Sequence, residues 1–408
     1  MSERPYKIAV SDEELDVLQR KLNLVRLPDE LDDVGWDYGV PLKEVKRLVA
    51  RWKDGYEWRK HEKELNELPH LTRDVEVEGF GSLNIHYLHA RSQVEGAIPL
   101  LFVHGWPGSF HEAARIIPLL TADSEDHPSF HVVAIGLPGF GFSEAPSKKG
   151  FAIAQYAETA LNLMIALGYE KFVTQGGDWG YRVTRKMAAM YGGKHVQAWH
   201  TNHPVPDPPS FIRNPILAFN HFLHTWTPYS PYTDAERRSL DRNKWFEQTQ
   251  SGYFVEQSTQ PQTLGYSLAD SPVGLLAWMY EKLVHWTDKY EWDDDEVLTW
   301  VSIYWFSRAG PAASLRIYYE FMHASDSHDS TRVGSIPLGV SHFPAEIVSP
   351  PRSWIRTVGN VVFQSEHTAG GHFAAFERPR ELVDDLRKMY GRGGPAYGAV
   401  AGMHGYKV

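Results

Sequence analysis

The run Phe172-Val173-Thr174-Gln175-Gly176-Gly177-Asp178-Trp179-Gly180 leads from an apolar strand into a helical stretch over residues 181–191. Glycines at 176, 177 and 180 surround one functional side chain, Asp178. A sharp strand-to-helix turn brings neighbouring backbone close, so small residues are needed around the one it displays. The spacing is that of a nucleophile elbow with aspartate in the nucleophile's place. A glycine-rich turn whose aspartate only caps the next helix is the plainer reading of the same letters.

Working outward, the same rhythm repeats. Residues 98–103 form an apolar run ending at His104-Gly105, residues 110–120 look helical, and residues 131–135 read as the next buried strand, followed by a helix over 154–167. Short apolar strands alternating with helices predict an α/β fold with a mostly parallel sheet covered on both faces. Upstream, residues 1 to about 70 read as helical: Ser11-Asp-Glu-Glu14 is a capping box before Leu15, Leu18 and Leu22, and Leu42, Val45, Leu48, Val49 and Trp52 follow Pro41 at helical spacing. From residue 71 the period falls to two, with Val75, Val77, Leu83, Ile85 and Tyr87 alternating around Gly79-Phe80-Gly81 as in a hairpin.

Between about 205 and 330 the alternation stops. That stretch is rich in Trp, Tyr and Pro, with helical candidates at 272–286, 295–307 and 312–322, and it reads as a helical module inserted into the sheet domain. Strands return at 337–343 and 360–363, and a last helix follows Pro379. The glycine-rich tail, 391–405, predicts a loosely ordered end. The expected division is an extension over 1–95, a first core segment over 96–204, a helical cap over 205–330 and a second core segment with the tail over 331–408.

The 408 residues carry a net charge of −10 and are 42% hydrophobic, a globular composition. With no dense Lys/Arg block, the chain lacks the electrostatic footprint of a nucleic-acid binder. The absence of Cys removes disulfides, thiolate nucleophiles and Cys-ligated metal centres, and weighs towards a cytoplasmic location. No apolar run approaches the roughly 18 residues of a spanning helix, and the first residues do not form a signal peptide. The 14 Trp, 20 Tyr and 19 Phe suit a large core or an aromatic-lined cavity. Asp293, Asp294, Asp295 and Glu296 complement a helix N-terminus better than they form a metal site. No zinc-protease, phosphate-loop or dinucleotide motif appears, so no cofactor or metal is implied.

Three more stretches complete a catalytic constellation. His104-Gly-Trp-Pro-Gly-Ser109 ends an earlier strand, where one oxyanion-binding N–H is expected from the loop, at Trp106, and the other from the residue after the nucleophile, Trp179. Gly370-Gly371-His372-Phe373 comes late, where the base belongs in the order nucleophile, acid, histidine. The acid is expected on the loop past the strand at 337–343, at Glu346, with Glu366 and Asp329 as competitors.

Taken together, the aspartate elbow, the HGWPGSF loop at 104–110, the GGHFAAFERP ending at 370–379 and the helical preamble resemble the microsomal type of epoxide hydrolase, within the α/β-hydrolase superfamily. The most specific matches are the preamble's RLP at 26–28, WDYGVP at 36–41 and LPH at 68–70, with PRSW at 351–354. The resemblance runs from about residue 5 to residue 390 and implies two cap tyrosines that donate hydrogen bonds to the epoxide oxygen. Of nine tyrosines in the cap, the family pattern falls on Tyr253 and Tyr318, with Tyr319 an adjacent rival. Animal members begin with a membrane-anchoring segment, whereas this chain begins at the preamble, so no stable membrane insertion is expected.

The resulting expectation is hydrolysis of an epoxide to a vicinal diol, in xenobiotic breakdown or natural-product biosynthesis. Asp178 forms an alkyl ester with the substrate, and His372, oriented by Glu346, activates the water that hydrolyses it. The partner is a small-molecule epoxide, and a homodimer is compatible with the reading. A haloalkane dehalogenase would share the Asp and His but carry halide-binding donors in place of the tyrosines. A noncatalytic small-molecule-binding relative would not need an intact Asp, His and acid set.

Overall fold

The computed structural model describes residues 3–325 and 331–407. Among these residues nine strands form one sheet: β1 (Arg4–Pro5), β2 (His70–Val77), β3 (Gly81–Ala90), β4 (Ile98–Val103), β5 (Phe130–Ile135), β6 (Phe172–Gly176), β7 (Val196–Thr201), β8 (Val333–His342) and β9 (Gly359–Glu366), in the order β1-β2-β3-β5-β4-β6-β7-β8-β9. The strands from β5 through β4 to β9 run parallel, while β1, β2 and β3 pair antiparallel at one edge. The hairpin read around Gly79 to Gly81 is β2–β3, whose register closes at Val77 opposite Gly81. Every residue of β4 and of β6 is buried, as a central parallel strand covered on both faces requires.

The helix Ile153–Ala166 and the post-elbow helix Trp179–Tyr191 pack beside each other over the sheet. The helix expected over 110–120 is broken into a 3-10 turn, Phe110–Arg115, and a short helix, Ile117–Thr121. Pro118 supplies no N–H to a continuous ladder, so the chain restarts there.

Helices between β7 and β8 cover one end of the sheet. Those expected near 272–286 and 295–307 appear as Pro272–His285 and Asp294–Trp305, and the one near 312–322 as a 3-10 turn leading into Arg316–His323. Four more, Pro215–Trp226, Asp234–Thr249, Gly252–Thr259 and Pro261–Asp270, precede them. The Ser11 capping box starts Asp12–Asn23 as the spacing predicts. The acidic run does begin a helix: Asp293 caps it, accepting from the Asp295 N–H at 2.9 Å. Arg51 then pairs with Asp295 at 2.8 Å and Arg47 with Asp294, joining the N-terminal extension to these helices.

The tail departs from its expected looseness. Gly405 N–H donates to the Gly96 carbonyl and its own carbonyl accepts from Ser129 N–H, both at 2.7 Å, while Tyr406 is 3% exposed and lies under the Arg392 guanidinium. Its glycines serve turns that return the chain to β5. Among the described residues, no helix is long and apolar enough to cross a membrane.

Candidate active site

Val103 at the end of β4 pairs with Gly176 at the end of β6, so the loops that follow leave the sheet at the same level. At that level Asp178 adopts φ 51°, ψ −125°, a left-handed conformation that costs a non-glycine residue about 1–3 kcal/mol. The strain is held by close packing. A Cβ on Gly180 would lie 1.9 Å from the Val103 carbonyl oxygen, and one on Gly105 would lie 2.3 Å from the Asp178 side chain. Only glycine at both positions lets the two loops touch, and the Trp106 N–H then donates to Asp178 Oδ1 at 2.7 Å. The Trp179 amide makes no hydrogen bond to this carboxylate among the described residues.

On the far side, the chain after β8 pairs briefly with the chain after β9, through a parallel bridge between Ala345 and Gly371. That bridge sets Glu346 beside His372: Glu346 Oε1 accepts from His372 Nδ1 at 2.6 Å, and His372 Nε2 lies 3.5 Å from Asp178 Oδ2. The backbone N–H of His372 is held by the Trp286 carbonyl at 2.8 Å. Asp178, His372 and Glu346 thus meet above the carboxyl ends of parallel strands, the usual place for a site in such a sheet. Glu366 instead ends β9 on the surface, paired with Arg352. Asp329, the other competing acid, lies outside the described residues.

The charges are coupled. Burial pushes the His372 imidazole down, but Glu346 and Asp178 outweigh it and raise its pKa to about 10. Burial likewise favours neutral Glu346, yet the His372 and His203 imidazoles hold it well below the carboxylate range. Asp178 follows the same pattern and is also lowered, by His372, His203 and the Trp106 N–H.

The walls are aromatic. The Trp106 ring stacks on Tyr253 at 5.4 Å, Tyr318 stands edge-on to Trp179 at 4.7 Å, and the two tyrosine rings are 5.9 Å apart. Both tyrosines are buried, which raises their pKa well above 10 and keeps them as neutral O–H donors. The Tyr318 hydroxyl has no hydrogen-bond partner among the described residues, an expensive state for a buried donor. Tyr319 points away, 37% exposed and stacked on His323 at 3.9 Å.

Two groups at this site carry no signal in the sequence reading. Glu112, four residues past Gly108, is buried beside Asp178, and burial raises its pKa to about 8. With Gly105, Gln175, Asn202 and His372 it lines a small cavity beside Asp178 of about 10 Å³, room for one water molecule. His203, just past β7, sits against Glu346, its Nδ1 2.9 Å from Oε1. The donor atoms of His203, Glu346 and His372 lie within 4.8 Å of one another, as metal ligands can. The 2.6 Å His372–Glu346 contact is, however, shorter than the ~3.3 Å between two tetrahedral zinc ligands at ordinary bond lengths, and it marks a hydrogen-bonded acid–base pair.

Comparison with known proteins agrees with this architecture. Residues 3–113 match the family model described as epoxide hydrolase N terminus, and residues 98–241 match the alpha/beta hydrolase fold. A putative epoxide hydrolase from Stigmatella aurantiaca is 39% identical over 95% of this chain and 84% of its own, and epoxide hydrolase 1 of Sus scrofa is 35% identical over 95% and 88%. Among solved structures, the Aspergillus niger epoxide hydrolase superposes with a TM-score of 0.80 at 32% identity, covering 95% of both chains. The juvenile hormone epoxide hydrolase of Bombyx mori does so with a TM-score of 0.85 at 30% identity, covering 94% of this chain and 93% of that one. The chain belongs to the epoxide hydrolase family of the α/β-hydrolase superfamily.

Proposed function

We propose that this protein hydrolyses a small-molecule epoxide to a vicinal diol in two steps, with helices between β7 and β8 acting as a cap over the site. The observation that carries the reading is the unequal setting of the two Asp178 oxygens: Oδ1 is pinned by the Trp106 N–H, and Oδ2 faces His372. Oδ2 attacks an epoxide carbon, the C–O bond breaks, and the departing oxygen takes a proton from Tyr253 or Tyr318. Oδ1 becomes the ester carbonyl, already lodged against the oxyanion donor.

The protonation states suit this order. A carboxylate needs no base to attack, so the first step tolerates His372 as imidazolium. Esterification removes the Asp178 charge, one of the two that hold His372 protonated, and the imidazole becomes a better supply of neutral base for the second step. Neutral His372 then takes a proton from water, whose oxygen attacks Cγ of Asp178. Glu346 stabilises the imidazolium that forms. The cavity beside Glu112 suits that water.

The tyrosines separate this chemistry from halide release. An epoxide's leaving oxygen stays on the substrate and departs as a strongly basic alkoxide, so it needs proton donors, whereas a halide needs only polar contacts. Tyr253→Phe and Tyr318→Phe are each expected to slow ester formation about 10²-fold, the scale of one lost oxyanion donor, and the double variant to be nearly inactive. A panel of aryl and alkyl epoxides, assayed for diol beside chloro- and bromoalkanes assayed for halide, checks this. If both Phe variants match wild type while halide is released, the dehalogenase reading replaces this one.

A further inference from the structure

The catalytic acid is shared. Glu346 Oε1 receives three groups: His372 Nδ1 at 2.6 Å, its neighbour's Ile347 N–H at 2.7 Å, and His203 Nδ1 at 2.9 Å. The other oxygen, Oε2, is buried with no partner among the described residues. The His203 and His372 rings stand at 89° with centroids 5.2 Å apart, and both bring Nδ1 to the same carboxylate atom. His203 Nδ1 approaches Oε1 off the axis of an aligned hydrogen bond, so the contact is electrostatic rather than directional. Both side chains are nearly dry, 8% and 2% exposed, which strengthens any charge interaction between them.

His203 is placed by its own strand end, where its backbone N–H donates to Thr201 Oγ1 at 3.0 Å. The charged and titratable groups around it come from four other elements. They are Glu346 after β8, His372 after β9, Asp178 at the elbow and Tyr181 on the following helix, whose ring is 6.4 Å away. Arg242, from the helix Asp234–Thr249, donates to the carbonyls of Ala345 and Glu346.

We propose that His203 is a positioning residue for the base: by holding part of the Glu346 charge it limits how strongly that carboxylate stabilises protonated His372. A proton on His203 Nδ1 suffices for this, with or without a second one on Nε2. A neutral Nδ1–H dipole or an imidazolium at this place both draw the carboxylate's charge from His372, and both make neutral His372 easier to form. Since ester hydrolysis requires neutral His372, its rate falls as pH drops through the base's pKa, and His203 keeps that fall at lower pH.

The inference rests on the two-step reading above, and the test reads the steps separately. Ester formation and ester hydrolysis are measured by single-turnover kinetics across pH in wild type, His203→Leu and His203→Asn, whose amide nitrogen falls near the Nδ1 position. Leucine leaves Glu346 to His372 alone, so the acidic limb of ester hydrolysis is expected to move up by about 0.5 pH unit or more, roughly a threefold loss on the limb. Ester formation stays within about twofold, and asparagine returns the limb close to wild type. A leucine limb that superimposes on wild type, or an asparagine limb that tracks leucine, overturns the proposal, because ring packing alone would then explain His203. Should the leucine protein not fold, His203→Gln, whose amide reaches the Nε2 position, serves as the removal variant with the same two outcomes. Failure of the two-step reading looks different: wild type itself would then show no ester at any pH.

Discussion

Asp178→Ala is expected to retain less than about 1% of diol formation, a loss above roughly 2.7 kcal/mol in barrier, while its melting temperature stays within a few degrees of wild type. No neighbouring group can replace the nucleophile: Glu112 is held neutral by burial, and Glu346 is engaged by His372. The stability cost is small because Asp178 contributes charge rather than core volume. Its left-handed backbone is imposed by contacts of Gly105 and Gly180 that alanine leaves in place. Thermal melting and diol assays on the same preparation check both halves. A folded variant with several per cent activity would remove Asp178 from the nucleophile's role.

His372→Gln is expected to stop the reaction halfway. The carboxylate attacks without a base, so ester formation proceeds. Hydrolysis loses its general base and slows by about 10²–10⁴-fold. Intact-protein mass spectrometry should show one substrate mass added, and peptide mapping should place it on the segment containing Asp178. Full turnover without an adduct would exclude His372 as the base.

The parts of this site written in local spacing were legible in the sequence. Glycines at 176, 177 and 180 announce the elbow because close backbone approach leaves no alternative residue. The Gly105 loop and the His372 stretch follow from their places after strands. Four helices between β7 and β8 went unread, although Thr233 and Glu236 form a capping box that starts one of them. Helix Asp234–Thr249 is mostly polar, with only Phe246 buried, so the apolar periodicity that marks a helix is weak there. Glu112 and His203 were invisible for a different reason. Each acquires its role from partners far along the chain, and with 20 His and no flanking pattern nothing local distinguishes His203. Tyr318 and Tyr319 are adjacent letters. The choice between them rests on helix orientation, which turns one ring onto Trp179 and the other outward.

The central claim is that the substrate is first bonded to Asp178 and that water attacks the protein carbon, not the epoxide. A single turnover with enzyme in excess, run in water labelled with heavy oxygen, tests it most directly. Hydrolysis at Cγ breaks the bond between Cγ and the ester oxygen, so Asp178's own oxygen leaves with the product. The account predicts unlabelled diol from that first turnover and one heavy oxygen in the Asp178 carboxylate, found by mass spectrometry of its peptide. Labelled diol together with an unlabelled Asp178 peptide would mean that water attacked the epoxide directly, and would contradict it.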